Sequence, residues 1–288
     1  MNDTTYSHAQ ERLQWFYRRD EASHVGAWGR TLVFDHGRRT KRATVLLHGL
    51  SASPRQFVAV ARALHERGHN VFVPRLPRHG YRNRLSEALA TMNAGQLEAC
   101  ANDSLAIARG LGERVAVAGF SLGGLLTAYL AQFHHVQRAV AVSPFLGVSW
   151  IPNPLRLAVA RLVLSRPNRF YWWDPILRER QLPEHGYPRF ATHAIGHGLT
   201  LAHEVLEAAR SNPPKADEVV LVTNPRDSAV NKGAIVRLGE RWRHLKPHAV
   251  TIQRLQGLPP FVHDIIEPKR YPKVAQRVTP LLVELIDS

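Results

Sequence analysis

The chain has 288 residues, 44% of them hydrophobic and 21% charged, so it is long enough to bury a sizeable core and too apolar to be a disordered polyelectrolyte. Its formal charge of +15 comes from 32 arginines and six lysines scattered through every segment, with no zinc-finger spacing, RNA-binding aromatic motif or heptad array, and no specific nucleic-acid partner is expected. A single cysteine, Cys100, excludes an intrachain disulfide, and no segment approaches the roughly 18 apolar residues of a membrane span. The first residues, polar and without an apolar run of signal-peptide length, make cytoplasm the expected location.

Residues 1–30 read as an N-terminal helical extension. Residues 31–34 and 43–47 read as strands parted by the turn signal Asp35-His36-Gly37, and this opening pair suggests an antiparallel start to a sheet. A helix is predicted over 54–67, opened by Pro54 and closed by Gly68, followed by a short buried strand at 70–74. Leu97, Cys100, Ala101, Ser104, Leu105 and Ala108 share one face of a helix over 94–110. Strand 114–119, helix 122–133 and strand 136–144 continue the alternation. After an interruption come strand 218–223, helix 231–243, strand 248–254 and a terminal helix near 271–287. This order predicts an α/β fold with a mainly parallel central sheet and helices on both faces.

The interruption, 145–214, has no convincing strand and three helical stretches, 154–165, about 175–180 and 193–211. Prolines at 144, 152, 154, 213 and 214 punctuate its ends. It is read as a helical lid over a core made of 31–144 and 215–288, because ligands of open parallel sheets bind beyond the carboxyl ends of the strands. Its run "FYWWDP" offers Trp172 and Trp173 as an acyl-binding wall, with Phe120 as a further pocket residue.

Gly119-Phe120-Ser121-Leu122-Gly123 is a Gly-x-Ser-x-Gly motif between a predicted strand and a predicted helix. In that context Gly119 and Gly123 allow the strand and helix to approach while Ser121 is held at the apex of a strained turn. A serine hydroxyl needs a base to take its proton and an acid to orient the base. Asp227 follows the strand 218–223, and His263 follows the next strand; chain order and position select this histidine from sixteen. Asp217 lies at the wrong end of its strand, and Asp264 reads as a cap or loop hydrogen-bonder. His48-Gly49-Leu50 ends an early strand, where the Leu50 amide together with the Leu122 amide would form an oxyanion hole, each donor worth about 3 kcal/mol in the transition state. His48 reads as a brace for that loop rather than a catalyst.

Taken in order, "LLHGLSASPRQF", "VFVPRLPRHG", "GFSLGG", "PRDSAVN" and "HDIIEP" resemble the α/β-hydrolase superfamily over about residues 43–268. The nearest likeness is to its monoacylglycerol lipases and small bacterial carboxylesterases, with the serine aminopeptidases nearby. The resemblance implies Ser121 as nucleophile, Asp227 as acid, His263 as base and the Leu50 and Leu122 amides in the oxyanion hole. It also implies carboxylic-ester hydrolysis through an acyl-enzyme on a small-molecule substrate, with no metal or organic cofactor. A thioesterase, acyltransferase or aminopeptidase could use the same triad, and a ligand-binding protein could use the same fold without turnover. The chain departs from the family in carrying Arg78-His79-Gly80 where Gly-His-Gly is frequent, and "GLPPFV" before the histidine.

Overall fold

A computed structural model describes residues 4–22 and 24–288. In chain order the elements are α1 (Thr4–Ala22), β1 (Leu32–Phe34), β2 (Thr40–Leu47), α2 (Val58–Glu66), β3 (His69–Val73), α3 (Ala94–Leu111), β4 (Gly112–Phe120), α4 (Leu122–Phe133) and β5 (Arg138–Val142). They continue with α5 (Arg156–Leu164), β6 (Phe170–Trp172), β7 (Arg189–Ala191), α6 (Thr192–Ala208), β8 (Glu218–Thr223), α7 (Lys232–Leu245), β9 (Val250–Arg254) and α8 (Pro272–Asp287). Seven strands form one sheet in the order β1-β3-β2-β4-β5-β8-β9. All neighbours are parallel except β1, which runs antiparallel to β3.

The central strands are apolar along their whole length because both faces of the sheet are covered. Side chains alternate between the two faces. Val45, Leu47, Val115 and Val117 pack with α1, α3, α4 and α7 on one side. Leu46, Ala116, Ala118 and Phe120 pack with α2 and α8 on the other. In α1, Ala9, Leu13 and Phe16 recur at helical spacing and are buried, and Ala9 sits where a side chain on Gly110 of α3 would collide. Phe16 meets Phe72 edge-on, with ring centroids 5.1 Å apart.

Three expectations change. β1 does not pair with β2: β2 already has parallel neighbours on both edges, β3 and β4, so the short β1 joins the free edge of β3. The segment 145–214 contains strands, since Phe170–Trp172 and Arg189–Ala191 form a two-stranded antiparallel ladder. Each strand is three residues long and its partner lies some seventeen residues away, too short and too remote to leave an alternating pattern. Residues 175–180 form no α-helix, only a single 3-10 turn at Arg178–Arg180. In the N-terminal extension the helix is α1, while residues 1–3 and 23 lie outside the described residues.

Candidate active site

β4 delivers Ser121 to the carboxyl edge of the sheet and α4 begins at the next residue. Ser121 has φ 55° and ψ −110°, a conformation costing on the order of 1–3 kcal/mol. The turn is held by its own backbone: the Ser121 amide donates to the Val142 carbonyl at 2.9 Å, and its carbonyl accepts from Leu125 and Phe145 at 2.9 Å each. The two glycines are required by close approach. A methyl on Gly119 would strike the Gly123 backbone, and one on Gly123 would strike the Leu47 carbonyl oxygen.

Asp227 follows β8 and is fully buried. Its Oδ1 accepts from the Ala229 amide at 2.8 Å, and its Oδ2 accepts from His263 Nδ1 at 2.7 Å. A carboxylate can only accept, so Nδ1 carries the proton and Nε2 is left as an acceptor for the Ser121 hydroxyl, 2.9 Å away. The histidine ring rests on Phe120, centroid to centroid 4.8 Å. The two loops that carry acid and base are tied together by Asn224, whose Nδ2 donates to the Val262 carbonyl at 2.7 Å while its Oδ1 accepts from the Arg226 amide at 3.0 Å.

The loop after β2 is braced by two buried imidazoles. His48 Nε2 accepts from the Leu76 amide at 3.1 Å, so its Nδ1–H donates to the Gly49 carbonyl at 2.9 Å. His79 Nε2 accepts from the Ser51 amide at 3.0 Å, so its Nδ1–H donates to the Pro77 carbonyl at 2.8 Å. Both rings are therefore neutral. Burial pushes His48 well below the ordinary histidine range and His79 down to about 4. Gln56 adds a third brace, its Oε1 accepting from the Gly49 amide at 2.9 Å. Between these fixed amides, that of Leu50 has no acceptor among the described residues. The Leu122 amide opens α4, where a helix supplies no internal acceptor.

Ser121, His263, Leu50 and Phe120 line a cavity of about 250 Å³. From the segment 145–214, Trp173 lines it and Trp172 does not. Trp173 Nε1 donates to Ser51 Oγ at 2.6 Å, and that hydroxyl donates to the Leu50 carbonyl at 2.6 Å. The Tyr187 amide donates to the Ser51 carbonyl at 2.7 Å, so Ser51 is gripped from above twice. Arg84, half-buried on the loop between β3 and α3, donates to the carbonyls of Gly186, Glu179, Gln181 and Pro183 at 2.8–3.2 Å. Beside the histidine, Asp264 accepts from Gln56 Nε2 at 3.2 Å, and burial followed by the nearby Glu267 raises its pKa. Asp217 pairs instead with His135 at 3.3 Å. No group of three or more His, Cys, Asp or Glu among the described residues could hold a metal ion.

The residues selected from the motif and from chain order thus meet at one point. Sequence reasoning missed Gln56, His79, Arg84 and Glu267. The first two serve backbone amides, and no motif announces such a partner. Residues 44–271 match the sequence model of the alpha/beta hydrolase family. The chain belongs to this family. The hydrolase also superposes on solved structures. It is similar to a metagenome-derived lipolytic enzyme (TM-score 0.65, 16% identity, 90% of this chain and 99% of that one). It is similar to a monoacylglycerol lipase of Paleococcus ferrophilus (TM-score 0.64, 21% identity, 88% and 98%). A soluble variant of monoglyceride lipase from Saccharomyces cerevisiae gives a TM-score of 0.68 at 12% identity, with 90% of each chain covered. At these identities the likeness is one of fold. No match was found among curated protein sequences. No helix of the hydrolase among the described residues is long and apolar enough to cross a membrane.

Proposed function

We propose that the protein is a serine hydrolase that cleaves carboxylic esters through an acyl-enzyme. The observation that carries this reading is the chain of two hydrogen bonds at His263, 2.7 Å to Asp227 and 2.9 Å to Ser121, opening on a cavity. Ser121 Oγ attacks the ester carbonyl as His263 Nε2 takes its proton. The tetrahedral oxyanion is met by the amides of Leu50 and Leu122, one held free by the braced loop and the other at the positive end of α4. His263 then gives its proton to the leaving alcohol, and water repeats the sequence on the acyl-enzyme. Asp227 keeps the ring in the productive tautomer and stabilises its cationic form.

In this reading residues 145–214 form the lid and Trp173 a wall of the acyl pocket. A cavity of about 250 Å³ suits short to medium acyl groups. The likeness to lipolytic enzymes supports ester chemistry, and the lone buried Cys100 suits a reducing compartment such as the cytoplasm. The test is a set of initial rates on p-nitrophenyl esters from acetate to palmitate, wild type beside Ser121→Ala. Hydrolysis that disappears in the variant, with an optimum at short or medium chains, is expected. Hydrolysis that survives the substitution, or no turnover of any ester by folded protein, would overturn the reading.

A further inference from the structure

Between α1, α3 and the loop 75–81 lies a second cavity, of about 330 Å³, that shares no lining residue with the first. Its wall brings together the guanidinium groups of Arg19, Arg75 and Arg78, the rings of Trp15 and Tyr81, and the thiol of Cys100. The volume falls at the lower end of small-molecule pockets, about 300–1,000 Å³.

The cations outnumber what the protein offers them. Arg75 is 2% exposed. Its Nε donates to Asp20 at 2.7 Å and its Nη1 to the His79 carbonyl at 2.9 Å, which leaves Nη2 without a protein acceptor. Asp20 is further engaged by the Thr31 amide at 2.6 Å. Arg19 donates from Nη2 to the Arg75 carbonyl at 2.6 Å, and its buried Nε finds no hydrogen-bond acceptor. Arg78 sits in the left-handed region, φ 64°, and its side chain makes no hydrogen bond or ion pair among the described residues. Asp103, the carboxylate in the lining, is bonded to Arg12 at 2.8 Å. Burial lowers the Arg19 pKa and the like charge of Arg75 adds to this, while Cys100 and Asp20, the latter 3.7 Å away and shared with Arg75, act the other way.

The geometry beside these cations is aromatic. The Arg19 guanidinium lies 5.2 Å from the Trp15 ring centroid and that of Arg75 lies 5.7 Å from Tyr81. Trp15 is 52% exposed, so a planar ring has access to it. Guanidinium forks match the oxygens of carboxylates and phosphates. The α1 wall, with Trp15 and Arg19, lies outside the residues that match the family, and the walls from the loop 75–81 and α3 lie within them.

We propose that this cavity binds a small organic anion, a carboxylate or phosphate carried on an aromatic ring, with Arg75 and Arg78 taking the anionic oxygens and Trp15 the ring. The site stands apart from the catalytic cavity, and its occupancy does not depend on the chemistry at Ser121.

The test uses phenyl phosphate as probe on the full chain, by calorimetry at physiological ionic strength, with the rate of Cys100 modification by a thiol reagent as the second readout. One site is expected, with Cys100 protected at saturation. Inorganic phosphate should bind more weakly, Arg78→Ala about tenfold more weakly, and Ser121→Ala like the wild type. Trp15→Ala, on an exposed ring, gives an independent variant, expected to bind about fivefold more weakly and to fold normally. Absence of binding up to about 10 mM, unchanged affinity in both Arg78→Ala and Trp15→Ala, or binding abolished by acylation of Ser121 would overturn the proposal.

Discussion

Beneath the cavity at Ser121, His48, His79 and Asp227 are fully buried and each is bonded to backbone amides, whereas in the segment above it Ile176 and Trp150 are 85% and 77% exposed. The floor is made of loops that leave the carboxyl ends of parallel strands, so their positions are set by the sheet. The upper segment meets that floor through backbone and side chains alike, among them Trp173 and Tyr187 on Ser51, four carbonyls on Arg84, His185 on Glu267 and Ser149 on Ser228 and Ala229. The contrast separates two jobs. In the proposed reading, geometry for attack belongs to the buried floor, and selection of what reaches it belongs to the more exposed segment above.

The largest expected effect lies in the floor. Asp227→Asn keeps the packing of a fully buried side chain but favours the wrong tautomer of His263, and kcat on the best ester should fall about 10⁴-fold with little change in KM. Retained activity would remove Asp227 from the machinery. Next comes stability against pH. With its pKa near 4 in the fold against 6.5 in the unfolded chain, His79 is neutral when folded. Its effect is level above pH 6.5, and stability falls as pH drops towards 4, by up to about 3 kcal/mol. Urea midpoints at pH 7 and 4.5 should therefore converge in His79→Gln relative to wild type, and an equal fall in both proteins would contradict the neutral brace. The smallest effect belongs to the upper segment. Trp173→Ala should shift the chain-length optimum and change KM about fivefold, while Trp172→Ala, outside the lining, leaves both unaltered. The reverse pattern would mean that the cavity is walled differently in solution.

The same division governs what can be read from the chain. Strand β4 and the turn at Ser121 are legible because small and β-branched residues, two glycines and an amphipathic helix coincide within 22 positions, 112–133. Asp227 and His263 are legible through chain order, which follows from the parallel sheet. The pairing of β1 with β3 is not, since it depends on which edge remains free once β2 is flanked. Nor are the bonds of His79 to Ser51 and of Gln56 to Gly49, where a side chain meets a backbone amide and either residue type would read as an ordinary loop or helix member. The strands at 170–172 and 189–191 are hidden by their length and by the aromatic run that contains one of them.

The most direct measurement is to treat the folded protein with a fluorophosphonate and locate the adduct by peptide mass spectrometry. A single phosphonyl adduct on Ser121, absent in Ser121→Ala and formed far more slowly in His263→Ala, is the expected result. Labelling elsewhere, or none at all, would contradict an acyl-enzyme on Ser121.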